Sequence, residues 1–222
     1  MNTTLTKIGD NLSDSEHKII ADKLHHLKIE GIEISIFGGR WGATWSADKD
    51  YNLDFLKYYK GIKSLRLQLP SATNIKPILE LTDSLEHLHL GEFNDKKISY
   101  ELLGQFTNLK FLSVGRQAKG LESITQLKKL TELSLTGYSV DKLKFLNELK
   151  TLKRLYIGFG TSETIDTINE LYNLEELYIL WVKKLSDIKA ISNLTGLIKL
   201  KIEDEKQIKK IPDISKLQNL KN

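Results

Sequence analysis

Apolar residues along most of the chain follow one short pattern that returns at a nearly constant interval. The pattern is an apolar residue, two others, a second apolar residue, one other, and a third apolar residue. Its first positions lie 21 to 24 residues apart, and it occurs at Ile62/Leu65/Leu67, Leu85/Leu88/Leu90, Leu109/Leu112/Val114, Leu130/Leu133/Leu135, Leu152/Leu155/Ile157, Leu174/Leu177/Ile179 and Leu197/Leu200/Ile202. Successive matches at one period are the signature of a repeat architecture. The sequence therefore predicts a stacked array of similar units.

Each repeated core predicts a short strand followed by a tight return. The fourth and sixth positions point to one side of an extended chain, and their neighbours point to the other. In the second half of the fourth unit the apolar residues recur every three positions, at Val140, Leu143, Leu146 and Leu149. That spacing favours a 3₁₀ turn or extended coil, whereas a four-residue spacing in the second unit indicates a helical turn. Stacking predicts a curved, right-handed α/β solenoid with a parallel sheet on its concave face and short 3₁₀ or helical segments on its convex face.

The first 52 residues depart from the repeat and predict an N-terminal cap, and residues 53–222 form the array of about seven units. Ser13 followed by Glu16 is a capping box, and the apolar residues after it share one helical stripe. Both signals predict a helix over residues 14–26, with a first strand after it at Ile29, Ile32 and Ile34. A second interpretation replaces the helix by an irregular first repeat at Leu24, Leu27 and Ile29.

Two further features mark the ends of the array. Between the predicted first strand and Leu53 lies an insertion with two tryptophans, Trp41 and Trp45. These side chains either plug the cap or form a binding loop over the concave face, since long loops in compact domains are often functional. At the other end, charged residues on the last strand would protect a free sheet edge, and Leu220 would open a further unit.

The repeated core resembles the leucine-rich repeat family, and within it the 22-residue class that includes bacterial internalin-type repeats. The resemblance covers roughly residues 53–222. It departs at the ninth position, where the family usually has Asn or Cys and this chain has Pro70, Phe93, Gln117, Tyr138, Gly160, Val182 and Glu205. The family's asparagine ladder is therefore missing, and other groups must satisfy the backbone of the turn.

Composition and charge exclude several classes of function. Without cysteine the chain has no disulfide, thiolate metal site or cysteine nucleophile. The 33 Lys and Arg against 29 Asp and Glu give a net charge of +4, whereas a dedicated nucleic-acid binder normally carries a denser basic face. The sequence shows neither a long apolar run nor a secretory leader, so we expect a cytoplasmic bacterial protein that does not bind membranes.

The sequence contains no catalytic motif and no phosphate-binding motif. We therefore expect no enzyme activity, no cofactor and no metal. His87 and His89 share one face of a predicted strand, which would permit a metal site if further ligands approached. The simpler interpretation is two imidazoles that face solvent or a partner.

A continuous surface is predicted from the third, fifth, seventh and eighth positions of each unit, which point away from the core. Aromatic residues concentrate there in two adjacent units, and three of the four arginines map to the same face. Aromatic and Arg side chains concentrate binding energy at interfaces. The predicted partner-binding residues are Arg66, His89, Phe111, Arg116, Arg154, Tyr156, Phe159, Tyr178 and Trp181. In an alternative interpretation Phe159 and Trp181 fold back into the turn and are buried. Leu69, at the eighth position, is assigned to the same outward surface.

These observations predict a non-enzymatic module that recognises another protein through its concave face, with a monomer favoured. An intracellular bacterial adaptor, or an inhibitor or immunity protein, is the finer expectation and rests on the resemblance alone. The alternatives are a structural or spacer fragment of a larger repeat protein and, less favoured, a metal-dependent enzyme.

Overall fold

The computed structural model describes residues 5–8, 12–35, 51–116 and 119–221. The chain divides into two compact units. The first unit comprises Met1–Lys110 with Gln117–Leu127, and the second comprises Phe111–Arg116 with Lys128–Asn222. The tryptophan insertion, with Trp41 and Trp45, lies outside the described residues.

Parallel strands organise both units. The first unit contains β1 (Leu5–Lys7), β2 (Gly31–Ser35), β3 (Ser64–Gln68) and β4 (His87–Leu90), each paired with the next in parallel. The second unit contains β5 (Phe111–Gly115), β6 (Glu132–Thr136), β7 (Arg154–Gly158), β8 (Glu176–Leu180) and β9 (Lys199–Glu203), paired in the same way. Equivalent positions of successive repeats lie directly opposite each other, so each repeat position forms a row across the strands.

The N-terminal helix α1 covers Asp14–His26, as the sequence predicts. The hydroxyl of Ser13 accepts a hydrogen bond from the Glu16 N–H, and the Glu16 carboxylate accepts one from the Ser13 N–H at 2.7 Å. The helix excludes the rival interpretation as an irregular repeat. Sequence reasoning missed β1, however, so the strand at Gly31–Ser35 is the second strand of the chain and not the first.

The core of each unit consists of the repeated leucines and isoleucines. The fourth and sixth positions of β3 to β8 are at most 2% exposed in the described residues, whereas Leu200 and Ile202 on β9 are only half-buried. After each of the strands β2 to β8 the chain returns through short 3₁₀ helices, at Asp54–Tyr58, Lys76–Leu81, Glu101–Gln105, Leu121–Gln126, Val140–Lys142, Lys144–Glu148, Asp166–Ile168 and Lys189–Asn193. The three-residue spacing thus led to the correct prediction of a 3₁₀ turn. The four-residue spacing of the second unit also gives a 3₁₀ helix, because one short turn closes the return.

Several different groups hold the turns of the second unit in place of an asparagine ladder. The hydroxyl of Tyr138, which is buried at the ninth position, donates to the carbonyl oxygen of Gly115 at 2.9 Å. The hydroxyl of Ser162, 1% exposed, accepts from the backbone N–H of Val140 at 2.6 Å. The expectation that other groups satisfy the turn backbone is therefore confirmed for these turns.

Within the part of the chain that the structure describes, no helix is long and apolar enough to cross a membrane.

Candidate partner-binding face

The candidate face is the side of the second unit's strands that points away from its core, and we call it the open face. Because the leucines and isoleucines at the fourth and sixth positions are buried, the third and fifth positions must point to the opposite side. The strand register places the third positions in one row, Phe111, Glu132, Arg154, Glu176 and Lys199. It places the fifth positions in a second row, Ser113, Ser134, Tyr156, Tyr178 and Lys201.

Two tyrosines form the centre of the open face. The rings of Tyr156 and Tyr178 meet edge to face with centroids 5.1 Å apart, and both are half-buried. The Tyr156 phenol lies over Gly158, where a Cβ atom would overlap it. The absence of a side chain at Gly158 therefore makes room for the ring. Burial raises the pKa of Tyr156, and the neighbouring Tyr178 adds to this effect.

Charged groups on β9 hold the second tyrosine. The Tyr178 hydroxyl donates a hydrogen bond to the Glu203 carboxylate, which raises the pKa of Tyr178 and lowers the pKa of Glu203. Lys201 Nζ lies 4.7 Å from the centroid of the Tyr178 ring and 2.9 Å from Glu203 Oε1. The ring is thus held by a cation and an anion of the chain itself, which restricts the rotamers of Tyr178.

The row of third positions alternates in charge. The Arg154 guanidinium pairs with the Glu132 carboxylate on the preceding strand, and this contact, with a smaller contribution from Glu176, raises the pKa of Arg154. Lys199 follows on β9. The row therefore reads acid, base, acid, base across four adjacent strands, and the Glu132 carboxylate holds the Arg154 side chain.

An open depression of about 330 Å³ lies between these rows. Its lining combines aromatic, hydroxyl and charged side chains, including Phe111, Ser134, Arg154, Tyr156, Tyr178 and Lys201. Four of these side chains, Phe111, Arg154, Tyr156 and Tyr178, are among the predicted partner-binding residues. Sequence reasoning placed Ser134 on the outward surface and gave Lys201 and Glu203 the role of protecting the sheet edge, and it predicted none of the three as a partner-binding residue.

The other predicted residues of the second unit lie where the strands end. Phe159 and Trp181 are 51% and 54% exposed, and their rings meet edge to face with centroids 5.8 Å apart. The alternative interpretation, in which both rings are buried in the turn, is wrong. Arg116 follows β5 and is also exposed.

The first unit holds the remaining two predicted residues side by side. Arg66 on β3 and His89 on β4 are direct neighbours in register. The side-chain amide of Gln68 donates to Nε2 of His89 at 3.2 Å. Burial, and then the charge of Arg66, lowers the pKa of His89 to about 4, so its imidazole is neutral at pH 7.

Some positions assigned to the outward surface lie in the interior. Leu69 is fully buried, because the chain after β3 turns this eighth position into the core, so its assignment to the outer surface is wrong. Ser64 and Ser113 are 8% and 6% exposed, since short side chains are covered by longer neighbours in their rows. In the described ranges, no cluster of three His, Asp or Glu side chains could hold a metal ion.

Comparison with solved structures identifies the fold of the chain. No protein-family profile and no curated protein sequence matches the chain. Among solved structures, the internalin InlF of Listeria monocytogenes is 19% identical, with a TM-score of 0.56 over 99% of this chain and 72% of its own. Internalin C2 of the same species is 18% identical, with a TM-score of 0.56 over 94% of this chain and 82% of its own.

A third solved structure is that of TLR13 in complex with ssRNA13. It is 16% identical, with a TM-score of 0.54 over 97% of this chain and 35% of that chain. These likenesses agree with the parallel strands, the repeat period and the 3₁₀ returns. The chain is therefore an α/β solenoid with the leucine-rich repeat fold, the fold of internalins.

Proposed function

We propose that the chain is a non-enzymatic module that binds another protein through the open face of its second unit. The observation that carries this proposal is the pair of half-buried tyrosines, Tyr156 and Tyr178, beside the 330 Å³ depression. Interfaces concentrate their binding energy in a few aromatic and Arg side chains that a polar rim surrounds. The tyrosines with Arg154 provide such a centre, and Glu176, Lys199 and Lys201 provide such a rim.

The alternating charges favour a protein over a nucleic acid as the partner. A phosphate backbone repeats the same charge at every step, and along the third-position row it would meet Glu132 before Arg154 and Glu176 between Arg154 and Lys199. A protein surface can place acids and bases in alternation and pair with all four side chains. We therefore propose a protein partner for this chain, and not an RNA such as the one bound in the TLR13 complex.

We also propose a more specific role for the chain, as an adaptor or an inhibitor. A cytoplasmic bacterial adaptor, or an inhibitor that covers the active surface of its target, needs a rigid face and no catalytic group. The fixed rings of Tyr156 and Tyr178 meet that requirement. Fractionation of the source cells with an antibody to the chain tests the location, and recovery from an extracellular or membrane fraction would contradict it.

The central experiment compares three immobilised forms of the chain in an extract of the source cells. They are the unchanged chain, the double variant Tyr156→Ala/Tyr178→Ala, and the control Tyr172→Ala. Tyr172 is 54% exposed and lies outside the depression, so its removal takes away an exposed tyrosine without touching the open face.

We expect at least one protein to be retained by the unchanged chain and by Tyr172→Ala, and to be lost from the double variant. Purification of that protein and titration calorimetry then give the affinity loss, which we expect to exceed about a hundredfold for two central aromatics. Equal capture by all three forms would contradict the proposal. A large decrease in the melting temperature of the double variant would also contradict the proposal, because the two rings would then be part of the core.

A further inference from the structure

The residues that follow β6, β7, β8 and β9 share a left-handed backbone in four successive repeats of the second unit. The φ angles are 82° at Gly137, 57° at Phe159, 53° at Trp181 and 59° at Asp204. Glycine adopts this conformation without cost, whereas it is unfavourable for L-residues and rare for bulky ones. The N–H groups of Gly137, Phe159 and Trp181 donate to carbonyl oxygens of the next repeat at 2.9 to 3.1 Å, which holds the conformation in place.

At two of these positions glycine would adopt the left-handed conformation at a lower energy than the residue that is present. Glycine occupies the position in one repeat, as Gly137, whereas the next two repeats carry Phe159 and Trp181. Burial does not account for them, because about half of each side chain is exposed. Backbone strain that persists without a gain in packing is typical of functional positions, and exposed paired aromatics are typical of protein interfaces.

Charged residues of opposite sign flank the aromatic pair. We call Arg116, Gly137, Phe159, Trp181 and Asp204 the turn row, because each follows its strand at the same repeat position. Arg116 and Asp204 are exposed at its two ends. The Arg116 side chain lies against Gly137, where a Cβ atom would approach Arg116 Cβ to 3.1 Å. With about 4.8 Å between adjacent strands, the four steps of the row span about 19 Å.

We propose that the turn row binds a segment of the partner protein that carries an acidic side chain at one end, apolar side chains in its middle and a basic side chain at the other. The acid would pair with Arg116, the apolar residues would cover Phe159 and Trp181, and the base would pair with Asp204. The inference rests on the proposed function for the existence of a protein partner, and it adds the chemistry and the direction of the bound segment.

The order of charges in the row excludes segments of a single sign. An acidic segment would meet Asp204, and a basic segment would meet Arg116. About six extended residues cover the row, because a strand rises about 3.3 Å per residue.

Three synthetic peptides test the inference directly. Each has seven residues, capped ends, two central leucines and no aromatic residue, and the terminal pairs are Asp with Lys, Asp with Asp, or Lys with Lys. The readout is the indole N–H resonance of Trp181 in an NMR titration. Its assignment among the three tryptophans of the chain comes from the variant Trp181→Phe.

We expect the Asp/Lys peptide to shift the Trp181 resonance and to bind about threefold to fivefold more tightly than the other two, which is the range of exposed ion pairs. The variant Arg116→Glu should reverse this order and prefer the Lys/Lys peptide. The variant Phe159→Gly/Trp181→Gly should bind none of the peptides by calorimetry. It should melt no lower than the unchanged chain, because glycine relieves the left-handed strain. Tyr172→Ala should bind as the unchanged chain does.

Equal affinity for the three peptides, no shift of the Trp181 resonance at millimolar peptide, or an unchanged order in Arg116→Glu would overturn the inference. So would a lower melting temperature of the double glycine variant, because the rings would then stabilise the fold. The two proposals fail separately. If the captured protein is lost from Tyr156→Ala/Tyr178→Ala but kept by Phe159→Gly/Trp181→Gly, recognition through the open face stands and the turn row has no part in it.

Discussion

A half-buried histidine in the first unit makes the stability of the chain depend on pH. His89 is half-buried on β4, and the nearest cation in register is Arg66 on β3. Burial, followed by the charge of Arg66, lowers the pKa of His89 from the ordinary value of 6.5 to about 4. The side-chain amide of Gln68 donates to Nε2, which favours the neutral ring further.

The sign and size of the effect follow from the two pKa values. In the unfolded chain His89 takes up a proton near pH 6.5, whereas in the folded chain it does so only near pH 4. The unfolded state therefore binds more protons between these values, and the free energy of unfolding decreases as the pH falls through this window. One pKa unit corresponds to about 1.4 kcal/mol, so His89 alone should remove about 2 kcal/mol between pH 7 and pH 4.5.

Urea unfolding followed by circular dichroism at these two pH values tests the prediction. The variant His89→Gln should lose about 2 kcal/mol less than the unchanged chain on acidification, and His25→Gln, an exposed histidine of α1, should behave as the unchanged chain does. Arg66→Met should raise the pKa of His89 in the folded chain, so that this variant loses less stability on acidification than the unchanged chain does. Equal losses in the unchanged chain and His89→Gln, or an NMR titration of the His89 ring centred near 6.5, would refute the reasoning.

Three substitutions test the turns and the cap by thermal unfolding. Gly160→Ala should destabilise by about 2 kcal/mol, because its Cβ atom would overlap the carbonyl oxygen of Tyr138. Ser162→Ala should cost about 1 to 3 kcal/mol, because it leaves the N–H of Val140 buried without its acceptor. Ser13→Ala should cost about 1 kcal/mol, because it removes one half of the capping box.

Each of these substitutions has a matched control in the same chain. A Cβ atom on Gly91 would make only ordinary contacts, the nearest at 3.5 Å, so Gly91→Ala should be mild. Ser186→Ala and Ser15→Ala remove hydroxyls from exposed residues and should change the melting temperature little. A melting temperature that is the same in any test variant and its control would contradict the contact assigned to that residue.

The fold could be predicted largely from local patterns. The capping box at Ser13 and the stripe after it predicted α1 with its observed ends, because helix capping depends on residues three positions apart. The repeated cores predicted β3 to β9, because alternation and period are visible in one dimension. Strand β1 was missed: Leu5–Lys7 has three residues, and its pairing with Gly31–Glu33 depends on residues that are distant in sequence.

The candidate site could be predicted only in part. The repeat register predicted which side chains share a row, so the sequence alone assigned Tyr156 and Tyr178 to one face. The register did not show that Glu132 engages Arg154 or that Glu203 engages Tyr178. Both pairs join adjacent repeats, and such a contact depends on side-chain rotamers that the period does not specify.

The sequence by itself determined the period, the strands of the repeats, the buried apolar rows and the absence of cysteine chemistry, because each follows from residue type and spacing along the chain. Only the tertiary structure decided how deep each outward position lies, as the buried Leu69 and the half-exposed Trp181 show at one and the same repeat position. The physical reason is that the eighth residue sits where the chain leaves the strand. There the backbone angle, and not the hydrophobicity of the side chain, decides whether that side chain enters the core or faces a partner.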